Sequence, residues 1–289
     1  MKILISTDTS CIINQEGLDR FNISVFPLNV IIDGQEYLDG ITINQDELAK
    51  AMRENKKIKT STPPMGEVIE YFEKLFNQGY DQIIHFTISS QLSSMYDLFN
   101  NVSNNYFEGK VKVVDSYGLS SLMLSHILYT YDELNKGTSI EDIVNNIEER
   151  KKDNSVVFIP ENLTALKNGG RISPAIAMIG NTLGLKPVIS LKEGKLEKES
   201  MTRNSKKFFQ DKIKEYSQKY KVDDYDYYIV SFDGKENVLN FVLECAKEIL
   251  GENNFHQGIL PINVCAHCGP GTIGLLVTPK INSKSISEF

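Results

Sequence analysis

Short β-rich runs alternate with amphipathic helical patterns along this chain, and that alternation restricts it to an α/β architecture more than any other feature does. The first half shows it most clearly. Lys2 to Ser6 reads as a strand ending in the polar turn Thr7-Asp8-Thr9-Ser10, and Ile23 to Ile32 as one further apolar run closed by the turn pair Asp33-Gly34. Asn44 with Glu47 three residues later reads as a capping box opening a short helix to about Glu54. Thr60-Ser61-Thr62 precedes Pro63-Pro64, and Val68, Ile69, Phe72, Leu75 and Phe76 follow at helical spacing. These mark a capped, proline-started helix.

Gln82 to Phe86 is the next expected strand, and the serine-rich stretch Thr87 to Ser94 leads into a helix through Leu98 and Val102. Lys110 to Val114 reads as a strand, and Asp115-Ser116 leads into a helix that Gly137 stops. Thr138 with Glu141 starts the helix after it. The domain boundary is expected in the charged stretch Glu148 to Asn154, giving an N-terminal domain over 1–154 and a C-terminal domain over 155–289. In the second part, Val156 to Ile159, Pro187 to Leu191, Leu196 to Ser200, Tyr227 to Phe232, Ile259 to Cys265 and Thr272 to Thr278 read as strands, with Glu193-Gly194 as a hairpin turn. Helices start at about Ser205 and Glu236. The expectation is a three-layer N-terminal α/β domain with a mainly parallel sheet, then an α/β domain with a mixed sheet.

Several functions are excluded by charge and motif. The chain carries 31 Lys and Arg against 38 Asp and Glu, a net charge of −7, so a nucleic-acid footprint would have to be local. The most basic stretches, Lys56-Lys57-Ile58-Lys59 and Arg150-Lys151-Lys152, read as solvated helix ends. No apolar run has the length of a signal peptide or membrane span, so a cytoplasmic protein is expected. Four cysteines, at 11, 245, 265 and 268, fit a reducing compartment. Cys265 and Cys268 form a Cys-x-x-Cys, but no second ligand pair accompanies them, and they read as small packing groups rather than a redox or zinc site. Gly269-Pro270-Gly271-Thr272-Ile273-Gly274 has the spacing of a dinucleotide fingerprint, yet a strand follows it where a helix is required. Phosphate loops and nucleophile elbows are absent from the sequence.

What remains is a set of hydroxyls just beyond strands or just before helices: Thr7 to Ser10, Thr60 to Thr62, Ser89 to Ser94 and Ser116. In an open α/β sheet, ligands lie beyond the carboxyl ends of the strands. Neutral donors clustered there suit a carboxylate or phosphate, whereas any one cluster taken alone reads rather as a helix cap. Arg171, after Gly169-Gly170, is either an anion clamp or a surface residue past a helix end. His267, in an irregular segment after a strand, offers a protonated imidazole to an anion or is a satisfied structural residue.

Thr7-Asp8-Thr9-Ser10, Lys59-Thr60-Ser61, Ile88-Ser89-Ser90-Gln91-Leu92-Ser93, Val114-Asp115-Ser116, Leu166-Lys167-Asn168-Gly169-Gly170-Arg171-Ile172, Leu185-Lys186-Pro187 and His267-Cys268-Gly269-Pro270-Gly271 stand in the order of the DegV family's motifs, and the chain resembles that family over essentially its whole length. The resemblance implies a protein without catalytic residues or metal that binds a long-chain fatty acid between two domains. It implies a role as the binding subunit of bacterial fatty acid kinase, whose catalytic subunit brings ATP and magnesium. That partner phosphorylates the carboxylate to an acyl phosphate for phospholipid synthesis, with transient contact at a membrane surface.

Carried over residue by residue, the resemblance implies carboxylate binding by Thr60, Ser61, Thr62, Ser93, Arg171 and His267, and kinase docking through Arg203. Two departures from the family pattern stand out. Ser94 and Met95 replace the usual glycine and threonine, and Thr62 replaces a common glutamine. The rival expectation is a stand-alone acyl-ester hydrolase with a Ser or Cys/His nucleophilic site.

Overall fold

A computed structural model describes residues 1–12, 14–177 and 184–281. In the first part, β1 (Ile3–Asp8), α1 (Gln15–Phe21) and β2 (Ile23–Phe26) form a parallel crossover unit. Next come β3 (Asn29–Ile32), β4 (Gln35–Leu38), α2 (Gln45–Arg53), β5 (Ile58–Ser61) and α3 (Met65–Asn77). They are followed by β6 (Gln82–Thr87), α4 (Met95–Tyr106), β7 (Val111–Asp115), α5 (Ser121–Asn135) and α6 (Ile140–Arg150). Strands β2-β1-β6-β7 make a wholly parallel four-stranded sheet. Its central strands are buried on both faces, as their continuous apolar runs require.

The run Ile23 to Ile32 is not one strand but two, in different sheets. Pro27 has no N–H for a ladder, and beyond it β3 pairs antiparallel with β4 and β5. The β3–β4 hairpin turns at Asp33 and Gly34, both with positive φ, 51° and 90°. The capping box of Asn44 and Glu47 is present. The helix expected at Thr138 instead takes Ser139 as its cap, because Thr138 Oγ1 donates to Glu133. The helix expected from Asp115-Ser116 begins later, at Ser121.

After a 3-10 turn at Lys151–Asp153 come β8 (Ser155–Ile159), α7 (Thr164–Asn168), α8 (Pro174–Ala177), β9 (Lys186–Lys192) and β10 (Lys195–Thr202). The chain continues with α9 (Ser205–Lys219), β11 (Tyr225–Phe232), α10 (Glu236–Leu250), β12 (Phe255–Gly258), α11 (Ile262–Cys268) and β13 (Thr272–Pro279). The sheet order is β10-β9-β8-β13-β11-β12, antiparallel except for β11 with β12. The expected strand Ile259 to Cys265 is overturned: Pro261 caps α11, and Gly269 ends it at φ 78°. Residues 282–289, inside the expected second domain, lie outside the described residues.

Side-chain alternation gives the six-stranded sheet two different faces. Val157, Ile159, Tyr227, Ile229, Leu275 and Val277 pack with α9 and α10 in one apolar cluster. Val156, Tyr228, Val230 and Leu276 face the other way and join the core of the first part. Residue 154 thus separates the strands of the two large sheets, while one apolar core runs across the junction. Arg150 and Lys151 strengthen that junction and are not solvated: Arg150 Nη2 donates to the carbonyls of Pro279 and Lys280. Buried Lys151 bonds Glu148 and the Asp115 carbonyl.

Candidate functional site

The inner face of the six-stranded sheet and the loops at the carboxyl ends of β1 and β6 enclose a cavity of about 1040 Å³, including space continuous with solvent. Its wall is mostly aliphatic: Leu92, Met95 and Leu119 come from the first part, and Phe158, Leu191, Leu196, Val230 and Leu276 from the sheet. Gly274 lies on this inner face, where a Cβ would stand 3.2 Å from Phe158 Cβ and 3.1 Å from Val230 Cγ2.

Thr60, Ser61, Thr62, Ser93, Arg171 and His267 all line this one cavity. Four separate segments bring them there. Thr60 and Ser61 end β5, Thr62 follows, Ser93 precedes α4, Arg171 follows α7, and His267 is on α11. None of these hydroxyls belongs to a helix N-cap residue that caps its own helix: the residue before α3 is Pro64 with no side-chain cap, and neither Ser94 nor Ser120 caps its helix, although Ser93 Oγ accepts from Met95 N at 3.4 Å. Thr60 Oγ1 instead meets His267 Nε2 at 2.9 Å. The two departures from the family pattern touch each other, since Thr62 Oγ1 and Ser94 Oγ lie 2.9 Å apart. Ser94 has φ −79° and ψ 9°, a conformation that needs no glycine, and Met95 is core.

Arg171 is half-buried, with Nε donating to the Leu92 carbonyl at 3.0 Å and Nη1 to that of Gly169. Nη2 makes no hydrogen bond among the described residues, which leaves its hydrogens for an anion. His267 departs from expectation twice. It stands on a helix rather than an irregular segment, and it is neutral: burial, then the Arg171 charge, pushes it down to about 4. Its imidazole can donate or accept at Nε2, and no carboxylate orients Nδ1 among the described residues, as a catalytic base would require. Cys265 and Cys268 are buried free thiols, and burial pushes Cys265 well up, so both serve packing.

Two buried aspartates hold the scaffold around these groups. Asp8 accepts from Ser10 N at 2.7 Å and Ile88 N at 3.0 Å, tying together the loops after β1 and β6. Asp39 accepts from Ile262 N at 3.2 Å and Asn263 N at 2.9 Å, at the first turn of α11. Burial pushes each carboxyl up to about 6 against those stabilising bonds. Asn29 and Asn263 also line the cavity and escaped sequence reasoning. The signal for Asn263 was Pro261, a helix start that the β-branched neighbours concealed. Arg203 is not part of the cavity and is exposed between β10 and α9.

No helix among the described residues is long and apolar enough to cross a membrane. Residues 2–280 match the family described as "Uncharacterised protein, DegV family". A DegV domain-containing protein of Staphylococcus aureus (strain MRSA252) is 30% identical over 287 residues, 96% of this chain and 99% of that one. Among solved structures, a DegV family protein from Thermus thermophilus described for its fatty acid binding is 27% identical with a TM-score of 0.86. The match covers 96% of this chain and 100% of that one. A stearic-acid-binding protein from Eubacterium ventriosum is 26% identical with a TM-score of 0.83, over 98% of this chain and all of that one. With one sheet wholly parallel, the other mixed, and a match that runs nearly from end to end, the chain belongs to the DegV family.

Proposed function

We propose that the protein binds a long-chain fatty acid and holds its carboxylate for phosphorylation by a partner kinase subunit. The observation that carries this reading is a single aliphatic cavity with Thr60, Ser61, Thr62, Ser93, Arg171 and His267 on its wall. Two relatives of the same fold, from Thermus thermophilus and Eubacterium ventriosum, are described as binding fatty acids. The domains are taken as 1–154 and 155–289, with the ligand between them.

Magnitudes divide the labour between tail and head. Burying about 14 methylenes at ~0.8 kcal/mol each gives ~11 kcal/mol gross, against about 4–15 kcal/mol lost on association. Each charge-assisted bond to the carboxylate adds ~1.5–3 kcal/mol. The tail supplies affinity and the head group supplies orientation. Arg171 provides the fixed positive charge, and neutral His267, Ser93 and Thr60 provide donors without a second charge to desolvate.

Phosphoryl transfer belongs to the kinase, which brings ATP and magnesium and yields an acyl phosphate that feeds phospholipid synthesis. This chain contributes a held, oriented carboxylate and an exposed Arg203 for docking. Mass spectrometry of the purified, denatured protein tests the binding step: a co-purifying fatty acid is expected, and steady ester turnover without a partner would overturn it in favour of a hydrolase. Arg203→Glu tests the docking step. Bound lipid and thermal stability should stay unchanged while acyl phosphate formation with the kinase falls, and unchanged turnover together with unchanged partner affinity removes Arg203 from the docking face.

A further inference from the structure

Asn263 stands four residues before His267 on α11, so one helical turn, ~6 Å of rise, separates two side chains on the same face. It is 6% exposed and lines the same cavity. Its Nδ2 donates to Ser10 Oγ at 2.7 Å, but its Oδ1 has no hydrogen-bond partner. Ser10 is fully buried and also lines the cavity. The Ser10 hydroxyl accepts that bond and gives its own hydrogen to the Asp8 carboxylate, leaving the Asn263 Oδ1 as the unpaired atom.

A buried amide oxygen left unpaired carries the full cost of its desolvation. Interchanging the amide oxygen and nitrogen does not remove the deficit. With the Ser10 hydrogen on Asp8, that interchange would set Oδ1 against a hydroxyl that has no hydrogen left to give, so the amide keeps Nδ2 on Ser10. A hydroxyl answers the unpaired Oδ1 by donating its hydrogen. A carboxylate only accepts, and a methylene does neither.

The geometry points to a second subsite, formed by Ser10 and Asn263, that takes a hydroxyl on the acyl chain close to the carboxylate. The ligand class is therefore a 3-hydroxy fatty acid, an inference that rests on the fatty-acid reading above. With the carboxylate at His267 and Ser93, one turn of α11 keeps the amide near the carboxyl end of the ligand, so a substituent on the first few carbons, such as the third, comes within its reach and one far along the tail does not. The groups form a chain of bonds. The ligand hydroxyl donates to Asn263 Oδ1, Asn263 Nδ2 donates to Ser10 Oγ, and Ser10 Oγ donates to the Asp8 carboxylate. A plain acyl chain leaves the deficit to a trapped water.

The test is calorimetric titration of the delipidated full chain with palmitate, 3-hydroxypalmitate and 16-hydroxypalmitate. The 3-hydroxy acid should bind about tenfold tighter than palmitate, and the 16-hydroxy acid no tighter than palmitate. In Asn263→Leu and in Ser10→Ala the ratio between 3-hydroxypalmitate and palmitate should collapse towards one, the second variant serving if the first does not fold. Equal binding of palmitate and 3-hydroxypalmitate by the unmodified protein overturns the subsite and leaves the fatty-acid reading intact. Binding of none of the acids overturns both.

Discussion

Gly169 has an ordinary φ of −74°, so its lack of a side chain answers a packing need and not a backbone one. A Cβ there would stand 2.3 Å from His267 Nδ1. Gly169→Ala should push the imidazole away from Thr60 and lower head-group-dependent activity with the kinase on the order of tenfold, approaching the loss in His267→Ala. The stability cost of the alanine should largely vanish when His267 is also Ala, because the clash needs both partners. Additive costs in that double-mutant cycle, measured by denaturant unfolding, would disprove the packing argument. Ser93→Ala and His267→Ala each remove a donor while sparing the aliphatic wall. Acyl phosphate formation should therefore fall by more than lipid retention does in both variants. Turnover equal to the unmodified protein, at limiting concentrations of this chain, would remove these residues from the head-group site.

The seven residues of α11 are too few to hold a helix by themselves, so the element depends on its surroundings. Asp39 satisfies two of its first-turn N–H groups from the loop after β4. Asp39→Ala should cost about 1–2 kcal/mol, in the range of a lost N-terminal cap, and thermal unfolding should register it as a drop of a few degrees. Since α11 carries His267, lipid retention should weaken in the same variant; an unchanged melting temperature would show that the helix is held by other means. This element also marks where the sequence stopped being informative. The parallel sheet, the Asn44 capping box and the Glu193-Gly194 hairpin were legible because each rests on local chemistry: continuous apolar runs, a side-chain bond three residues away, a turn with positive φ. Ile259, Ile262 and Val264 looked like a strand because a two-turn helix packed from several sides shows no clean period. Ile23 to Ile32 misled for a related reason, since only tertiary pairing decides that Pro27 separates two sheets. That Thr60, Ser61, Thr62, Ser93, Arg171 and His267 share one cavity wall follows the order of the motifs, whereas Asn263 on the same wall was not legible, lying inside the misread segment. Arg150 and Lys151 looked solvated because nothing in their neighbourhood encodes the distant carbonyls of Pro279 and Lys280.

At the scale of the whole molecule, buried titratable groups on opposite sides of neutrality make stability depend on pH. Burial pushes His85 and His126 down to about 3, the latter helped by the charges of Arg150 and Lys151, and pushes His267 down to about 4. Unfolded histidines titrate near 6.5. Between these values the unfolded chain binds more protons than the folded one, so each histidine lowers stability as pH falls from about 6.5 towards 4. Asp8 and Asp39 act in the opposite sense. Their folded values, about 6, lie above the unfolded 3.8, so their contribution is fully present below about 3.8 and is lost as pH rises through about 6. Three histidines against two carboxyls leave a net uptake of about one proton on unfolding near pH 5, and stability should fall on acidification by ~1.4 kcal/mol per pH unit. Urea unfolding of the delipidated protein between pH 6.5 and 4.5 measures this slope, and stability that rises on acidification would contradict it. A bound carboxylate changes one term only. Its negative charge beside His267 favours the protonated imidazole and raises that pKa, so the folded state of the loaded protein keeps a proton that the empty one lacks. The loaded protein should therefore show a shallower slope, by up to about one proton, and its affinity for the acid should tighten as pH falls towards 5. In His267→Ala, loaded and empty protein should run parallel. Equal slopes for loaded and empty unmodified protein would mean that the head group lies elsewhere than beside His267.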